Sequence, residues 1–332
     1  MMELTSLDNT RIRKKYLMSF ICISLISIFI VLLLYFPIIN LIKDEMIKAD
    51  SENIATVKTI VDERTLELYN LSVEINTNKV IREFLYKKAP LNNNERYHIK
   101  DILDLVQSYK AGNNFVSLIA VYLTQSSSIV TSEGVYDADY FFQNVLRYEN
   151  RNPEEIKQIM NEVHYNTYLP RKKINGSGIL SGEYITYIQT IPIGEKQPLA
   201  SVIMLIDQRN ISSAIGDAKS NTNHEVIILT KDGDIVFSNP RDEGLVQSII
   251  SKVDYENNSF IINTGKTDML FSYSTSQVND WIYVTFSTMD NVIARLNKVR
   301  NWVIVIAIIS LGIGIVLSLI MTNLNYRPWA LL

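Results

Sequence analysis

Residues 16–36 read YLMSFICISLISIFIVLLLYF, within 27 uncharged positions between Lys15 and Lys43. About 20 helical residues at roughly 1.5 Å each cross a hydrocarbon layer of about 30 Å, so the run is long enough to span one. Its 14 Leu, Ile, Phe and Val residues favour insertion by roughly 4–8 kcal/mol. A cleaved signal peptide is the competing reading. The run is longer than a signal peptide's apolar region, and Pro37 with Ile-rich sequence follows where a small-residue cleavage site would stand.

Residues 302–321 read WVIVIAIISLGIGIVLSLIM, inside 26 uncharged positions between Arg300 and Arg327. A buried core helix is the alternative there. Absence of charge alone does not define a span: residues 111–132 are also uncharged but hold Gly112, Asn113, Asn114 and Gln125. Arg11, Arg13, Lys14 and Lys15 precede the first run and set the N-terminus in the cytoplasm by the positive-inside rule. The second run obeys that rule less well, with Arg295, Lys298 and Arg300 outside and Arg327 inside.

The expected layout is a two-span protein of the cell membrane, embedded in the lipid bilayer with both termini cytoplasmic. It runs as a basic tail (1–15), a first transmembrane helix (16–42), a stalk helix (43–88), a membrane-distal domain (89–217) and a membrane-proximal domain (218–288). A helix continuing into a second transmembrane helix (289–321) and a cytoplasmic stub (322–332) follow, and residues 43–300 are extracellular. Charge agrees: 27 basic and 33 acidic residues give −6 between the spans, while 5 and 2 give +3 at the ends. The overall 32 against 35 is too balanced for a nucleic-acid-binding surface. The one cysteine, Cys22, lies in the first span, so the outer region holds together without disulfides.

Within the outer region, Ile54, Val57, Val61, Leu68, Leu71 and Ile75 form a helical apolar stripe over 43–88. Arg64 and Asn78 interrupt it, which favours a helix packed on its own domain over a coiled coil. Lys87-Lys88-Ala89-Pro90 should end it, with Asn92 to Asn94 as a loop. Ser117–Thr124 and Ser128–Ser132 read as a hairpin. An aromatic helical segment follows near Asp137–Tyr148, then strands at Tyr184–Ile193 and Leu199–Asp207 and a short helix from about Arg209. A smaller set repeats this order: Glu225–Thr230 and Ile235–Ser238 around an Asp232-Gly233 turn, a helix near Arg241–Lys252, and strands at Ser259–Asn263, Met269–Thr275 and Trp281–Ser287. From a start at Thr288 to Met321 no proline intervenes. The fold class expected is therefore α+β: a long N-terminal stalk helix and two tandem small antiparallel-sheet domains flanked by two transmembrane helices.

This ordered set resembles the extracytoplasmic double Cache sensors of low-GC Gram-positive bacteria, a resemblance that implies PAS-like antiparallel-sheet domains. Local matches are Leu169-Pro170-Arg171 in a distal loop, Val202–Asp207 on the last distal strand and Asp280–Val284 on the last proximal strand. The resemblance implies a sensor feeding a membrane-bound AraC-type transcriptional regulator or, alternatively, a sensor histidine kinase. Asn325-Tyr326-Arg327-Pro328 resembles the junction of both, and the Asn-Tyr favours the AraC type. The chain stops at Leu332, so a truncation after the second span is the expectation, with a sensor-only protein as the other possibility.

Chemistry is sparse. Gly265-Lys266-Thr267 lacks the preceding glycine of a phosphate loop, since Phe260 stands there. His98, His164 and His224 lack zinc spacing, Asp232, Asp234 and Asp242 lack calcium-loop spacing, and no nucleophile motif occurs. No catalytic residue, metal or cofactor is expected, and an enzyme or wall-binding module is the rival class.

In double Cache proteins the ligand pocket usually lies on the distal domain, and an acidic residue ending its last strand often faces it. Asp207 holds that position. Tyr122, Tyr136, Tyr184 and Tyr187 would line the pocket, with Arg147 or Arg171 as counter-charge. Against this, Asp207 could simply cap the next helix and the tyrosines could be core. The amino-acid signature of that superfamily needs a Trp that the distal domain lacks, so the expected ligand is an extracellular small molecule, sugar or peptide, or a partner lipoprotein. Ser310, Gly314 and Ser318 recur every fourth residue and would pack a homodimer in the membrane, unless they are ordinary span composition.

Overall fold

A computed structural model describes residues 2–176, 180–218, 225–239, 259–263 and 268–326. The helix expected near Arg241–Lys252, the Gly265–Thr267 turn, His224, Asp242, Arg327 and Pro328 lie outside the described residues. The chain forms two units: Asp50–Ile262 with Leu270–Ser287, and Met1–Ala49 with Asn263–Met269 and Thr288–Leu332.

The second of these is mainly helical. It contains the first part of α1 (Met2–Thr77), which continues through Pro37, and α7 (Met289–Tyr326). Among the described residues, Asn297–Leu317 is long and apolar enough to cross a membrane, and none of it is buried.

The other unit carries two antiparallel sheets. Six strands, β1 (Leu118–Leu123), β2 (Ser128–Thr131), β3 (Val135–Asp137), β4 (Thr167–Asn175), β5 (Ser181–Ile191) and β6 (Ala200–Asp207), lie in the order β3-β2-β1-β6-β5-β4. Five more, β7 (Glu225–Leu229), β8 (Ile235–Ser238), β9 (Ser259–Asn263), β10 (Asp268–Thr275) and β11 (Ile282–Thr288), lie in the order β8-β7-β11-β10-β9. Both sheets thus place the first strand of a hairpin beside the last strand of the set. The β7–β8 turn needs Gly233, whose φ of +87° is open to glycine at no steric cost.

From Asp50 onward α1 packs on these sheets. Ile54, Val57, Val61, Leu68 and Ile75 are all buried and join one core with Val121, Ile185, Tyr187, Val202, Met204 and Tyr283. The helix expected to continue to Lys88 ends at Thr77 instead. Asn78 takes an extended backbone, and its side chain accepts from Val80 N to cap a short α2 (Lys79–Phe84), the usual competition between an Asn side chain and the helix interior.

Three elements enter without having been expected. α3 (Asn93–Ala111) starts at a capping box in which Asn92 and Glu95 exchange side-chain and backbone bonds. It buries Ile99, Ile102 and Val106. α5 (Pro153–Met160) is capped by Asn152 with Pro153 in its first turn. Leu169-Pro170-Arg171, expected in a loop, lies on β4. That strand is at the sheet edge and its register shifts between Leu169 and Lys172, which is where a strand tolerates proline. The aromatic segment after β3 is a short helical turn, α4 (Ala138–Tyr140), running into a π-turn at Phe141–Val145. α6 (Gln208–Ala218) follows β6 directly.

Candidate functional site

The alternation of β1, β5 and β6 gives the six-stranded sheet two faces. Ile119, Val121, Ile185, Tyr187, Val202 and Met204 face the core shared with α1. Ala120, Tyr122, Tyr184, Ile188, Ile203 and Leu205 face a second core, roofed by Phe141, Phe142, Leu146, Tyr148, Ile156 and Met160. This aromatic face is where the expected site residues have to meet if they form one site.

They meet in part. Tyr122 is buried there, edge-on to Phe142 at 5.6 Å, with the Asn161 side chain near its hydroxyl. Burial is the main reason its hydroxyl is pushed above the ordinary phenol range, and nearby Asp139 and Asp137 add to it. Tyr136 packs at the rim, stacked on the exposed Tyr140 at 6.3 Å and tilted against Phe141 at 5.7 Å. Tyr184 is buried opposite Asp207 in the β5–β6 register. Its hydroxyl is raised by burial and then by the Asp207 charge, while Arg209 opposes both.

Tyr187 does not join them. Three residues from Tyr184 on the same strand, it points to the other face by simple parity, where its hydroxyl bonds Ser72 of α1 at 2.9 Å. Burial pushes it upward as well.

Asp207 is buried, and its Oδ1 accepts from Arg209 N at 2.7 Å, the geometry of a helix cap. Its carboxylate also holds the Arg209 side chain through Nε at 3.0 and 3.1 Å and Nη2 at 2.6 Å. The residue therefore does the capping job while presenting an ion pair, and the Arg209 guanidinium itself is exposed. Sequence reasoning missed Arg209, which sits two residues past the acid it neutralises.

The two expected counter-charges lie apart. Arg147 is exposed, and its backbone oxygen accepts from Asn175 N. Arg171 is engaged: Nη1 donates to Gln208 Oε1 at 2.9 Å and lies 3.4 Å from Glu183. Gln208 in turn donates to Ser238 O at 2.9 Å, so this chain of bonds links β4, α6 and β8.

The unexpected α5 brings one polar group to the aromatic face, and others stand beside it. Lys157 pairs with Asp139 at its rim. Tyr148 is buried with its hydroxyl against Thr186 Oγ1, and burial pushes its pKa up to about 12. Asn152-Pro153-Glu154-Glu155, a cap, a first-turn proline and two acids, was the signal that could have found this helix. Among the described residues no three His, Cys, Asp or Glu side chains converge as metal ligands. His164 Nε2 bonds Ile159 O and His98 pairs with Asp101. The face is apolar and aromatic with a polar rim, which suits binding and offers no nucleophile with an adjacent base.

No family model matches the chain, and no curated protein matches its sequence. Solved structures do match its fold. The extracellular domain of vpHK1S-Z8, described as a histidine kinase, superposes with a TM-score of 0.50 at 9% identity, covering 77% of this chain and 98% of that one. The corresponding domain of soHK1S-Z6 gives 0.49 at 10% identity, over 76% and 98%. The ligand-binding domain of the Campylobacter jejuni chemoreceptor Tlp3, solved with L-norvaline, gives 0.48 at 13% identity, over 75% and 93%. The first of these carries the comparison: the chain shares the fold of that kinase's extracellular domain.

Proposed function

We propose that this chain is the extracytoplasmic ligand-sensing part of a bacterial transmembrane receptor, with two spans, residues 43–300 outside and both termini in the cytoplasm. The observation that supports the reading is the likeness of its fold to a histidine kinase's extracellular domain, in a unit bracketed in sequence by two uncharged apolar runs. The distal part, 89–217, takes the ligand on its aromatic face, with Tyr122, Tyr136, Tyr184 and the Asp207–Arg209 pair contributing, and the part at 218–288 continues the message. Output is AraC-type control of transcription, favoured by the Asn325-Tyr326 sequence, with a histidine kinase as the second reading because Arg327-Pro328 also begins many kinase linkers.

The ligand class on this face is a small molecule, sugar or peptide, and the receptor works as a homodimer. Two states separated by the ligand need a coupling of roughly 1–3 kcal/mol.

A thermal-shift screen of the full chain in nanodiscs tests the sensing role. A compound at 100 times its Kd should add about 2.7 kcal/mol, and Asp207→Ala should remove that gain. A topology reporter fused after residue 42 that reads as cytoplasmic would sink the proposal. The coding sequence after Leu332 separates the outputs, since in-frame helix-turn-helix or kinase segments favour one each.

A further inference from the structure

A groove of about 460 Å³ opens among α1, the loop at Gly112–Phe115 and α6. The elements that line it belong to the α1 side of the six-stranded sheet, away from the aromatic face. From α1 come Arg64 and Glu67, joined through Arg64 Nη1 at 3.1 and 3.0 Å to the two carboxylate oxygens. Both are about half-exposed, so Nε and Nη2 of Arg64 and the outer lone pairs of Glu67 stay open to a ligand.

The loop is built, not loose. Asn113 Oδ1 accepts from Phe115 N at 3.0 Å and Val116 N at 3.2 Å, and Asn210 of α6 donates to Phe115 O at 2.8 Å. Asn114 and Ser213 complete the polar lining. The groove is therefore preformed, within the roughly 300–1,000 Å³ usual for small-molecule sites. Its formal charge is zero, and its walls hold both donors and acceptors.

We infer that this groove is a second ligand site, and that it takes a neutral polyhydroxylated molecule of the saccharide class. An anion would meet Glu67, a cation would meet Arg64, and an apolar ligand would strand the polar walls without partners. Vicinal hydroxyls donate to Glu67 and accept from Arg64 without parting the pair.

The site also lies where occupancy has a consequence. Asp62 and Thr65, on the same turn of α1, are held from the five-stranded sheet and its loops. Ser276 and Tyr283 each donate to Asp62 Oδ1 at 2.7 Å, and Asn279 donates to Thr65 Oγ1 at 3.2 Å. A ligand gripping Arg64 and Glu67 acts on that anchored turn. The inference deepens the ligand-sensing reading and rests on it only for this signalling consequence.

The test is saturation-transfer NMR and calorimetry on the full chain in nanodiscs, with glucose, N-acetylglucosamine, cellobiose, chitobiose and L-isoleucine as probes. At least one sugar should bind with a millimolar or lower Kd. Ser213→Trp, which fills the groove, and Glu67→Gln, which keeps size but removes the charge, should each weaken it at least tenfold. Tyr97→Ala, remote on α3, should leave it within twofold. If Ser213→Trp fails to fold, Glu67→Gln decides. The inference is overturned if no sugar binds, if L-isoleucine alone binds, or if sugar binding survives both groove variants. Loss in Asp207→Ala with retention in Ser213→Trp also overturns it and leaves the receptor reading standing. A groove-bound sugar on a chain whose loop proves cytoplasmic does the reverse.

Discussion

The buried carboxylate of Asp62 accepts the Tyr283 hydroxyl at 2.7 Å, and by that bond α1 is fastened to β11. Ser276 shares the same oxygen. Burial, with the Asp62 charge second, holds the Tyr283 phenol firmly protonated, so it acts as a donor. Hydrogen bonds to charged groups contribute about 1.5–3 kcal/mol each. Tyr283→Phe should lower stability by roughly that amount, and Asp62→Ala by more, because two buried hydroxyls lose their acceptor. Urea melts of the two variants and the double variant would show it; purely additive losses would mean that no such coupling exists.

Alkaline pH should act through Tyr148. Its folded pKa of about 12 lies above the unfolded phenol value of about 10. The folded state therefore holds the proton more tightly. The stability this carries is full below pH about 10 and is lost as pH rises from there through 12, by roughly 2–3 kcal/mol. Phenolate absorbance and melting followed together should place this tyrosine's ionisation with unfolding; Tyr148→Phe should flatten that part of the profile.

Asn92→Ala should cost about 1 kcal/mol, since the capping box closes two backbone donors of α3. Asn92→Ser should restore most of it. Equal melts for all three proteins would show the cap to be idle.

Much of the architecture was legible because strand alternation and apolar stripes are strong signals: the hairpin at 117–132, the pair at 184–207 and the buried stripe of α1 all appear in the structure. The helices α3 and α5 were hidden for a different reason. Each sets a narrow apolar stripe, Ile99-Ile102-Val106 and Ile156-Met160, in an otherwise polar stretch, and the caps at Asn92 and Asn152 were the further signal. The resemblance puts Leu169-Pro170-Arg171 in a loop, whereas the edge position of β4 and its register shift let proline stand on a strand. The site was half visible. Tyr122 and Tyr184 share a face, but choosing Tyr187 beside Tyr184 ignored strand parity. Arg209 needed the β6–α6 junction to bring it back onto Asp207.

Capping and ligand contact by Asp207 can be separated. Asp207→Ser keeps a cap oxygen while losing the two-oxygen grip on Arg209, so its stability should stay within about 1 kcal/mol of the parent. Ligand affinity on the aromatic face should nonetheless fall at least tenfold. Parent-like affinity in Asp207→Ser would reduce the residue to a cap.

Ser310, Gly314 and Ser318 recur every fourth residue along the sequence of α7. Single cysteines across residues 308–320, oxidised in membranes, should crosslink with a four-residue period that peaks at these positions. A flat pattern would remove the packing proposal.

The six-stranded sheet ends on β4, and its outer edge is closed in two ways. Residues 147–149 bridge its later half, through Arg147 O to Asn175 N, Glu149 N to Lys173 O and the Tyr148–Ile174 pair. Pro170 and the register shift spoil the earlier half. At the opposite edge β3 has three residues. A strand from a neighbouring molecule thus finds no run of free amides to add to. At high local concentration, copies of this chain can therefore stand side by side without their six-stranded sheets fusing into one.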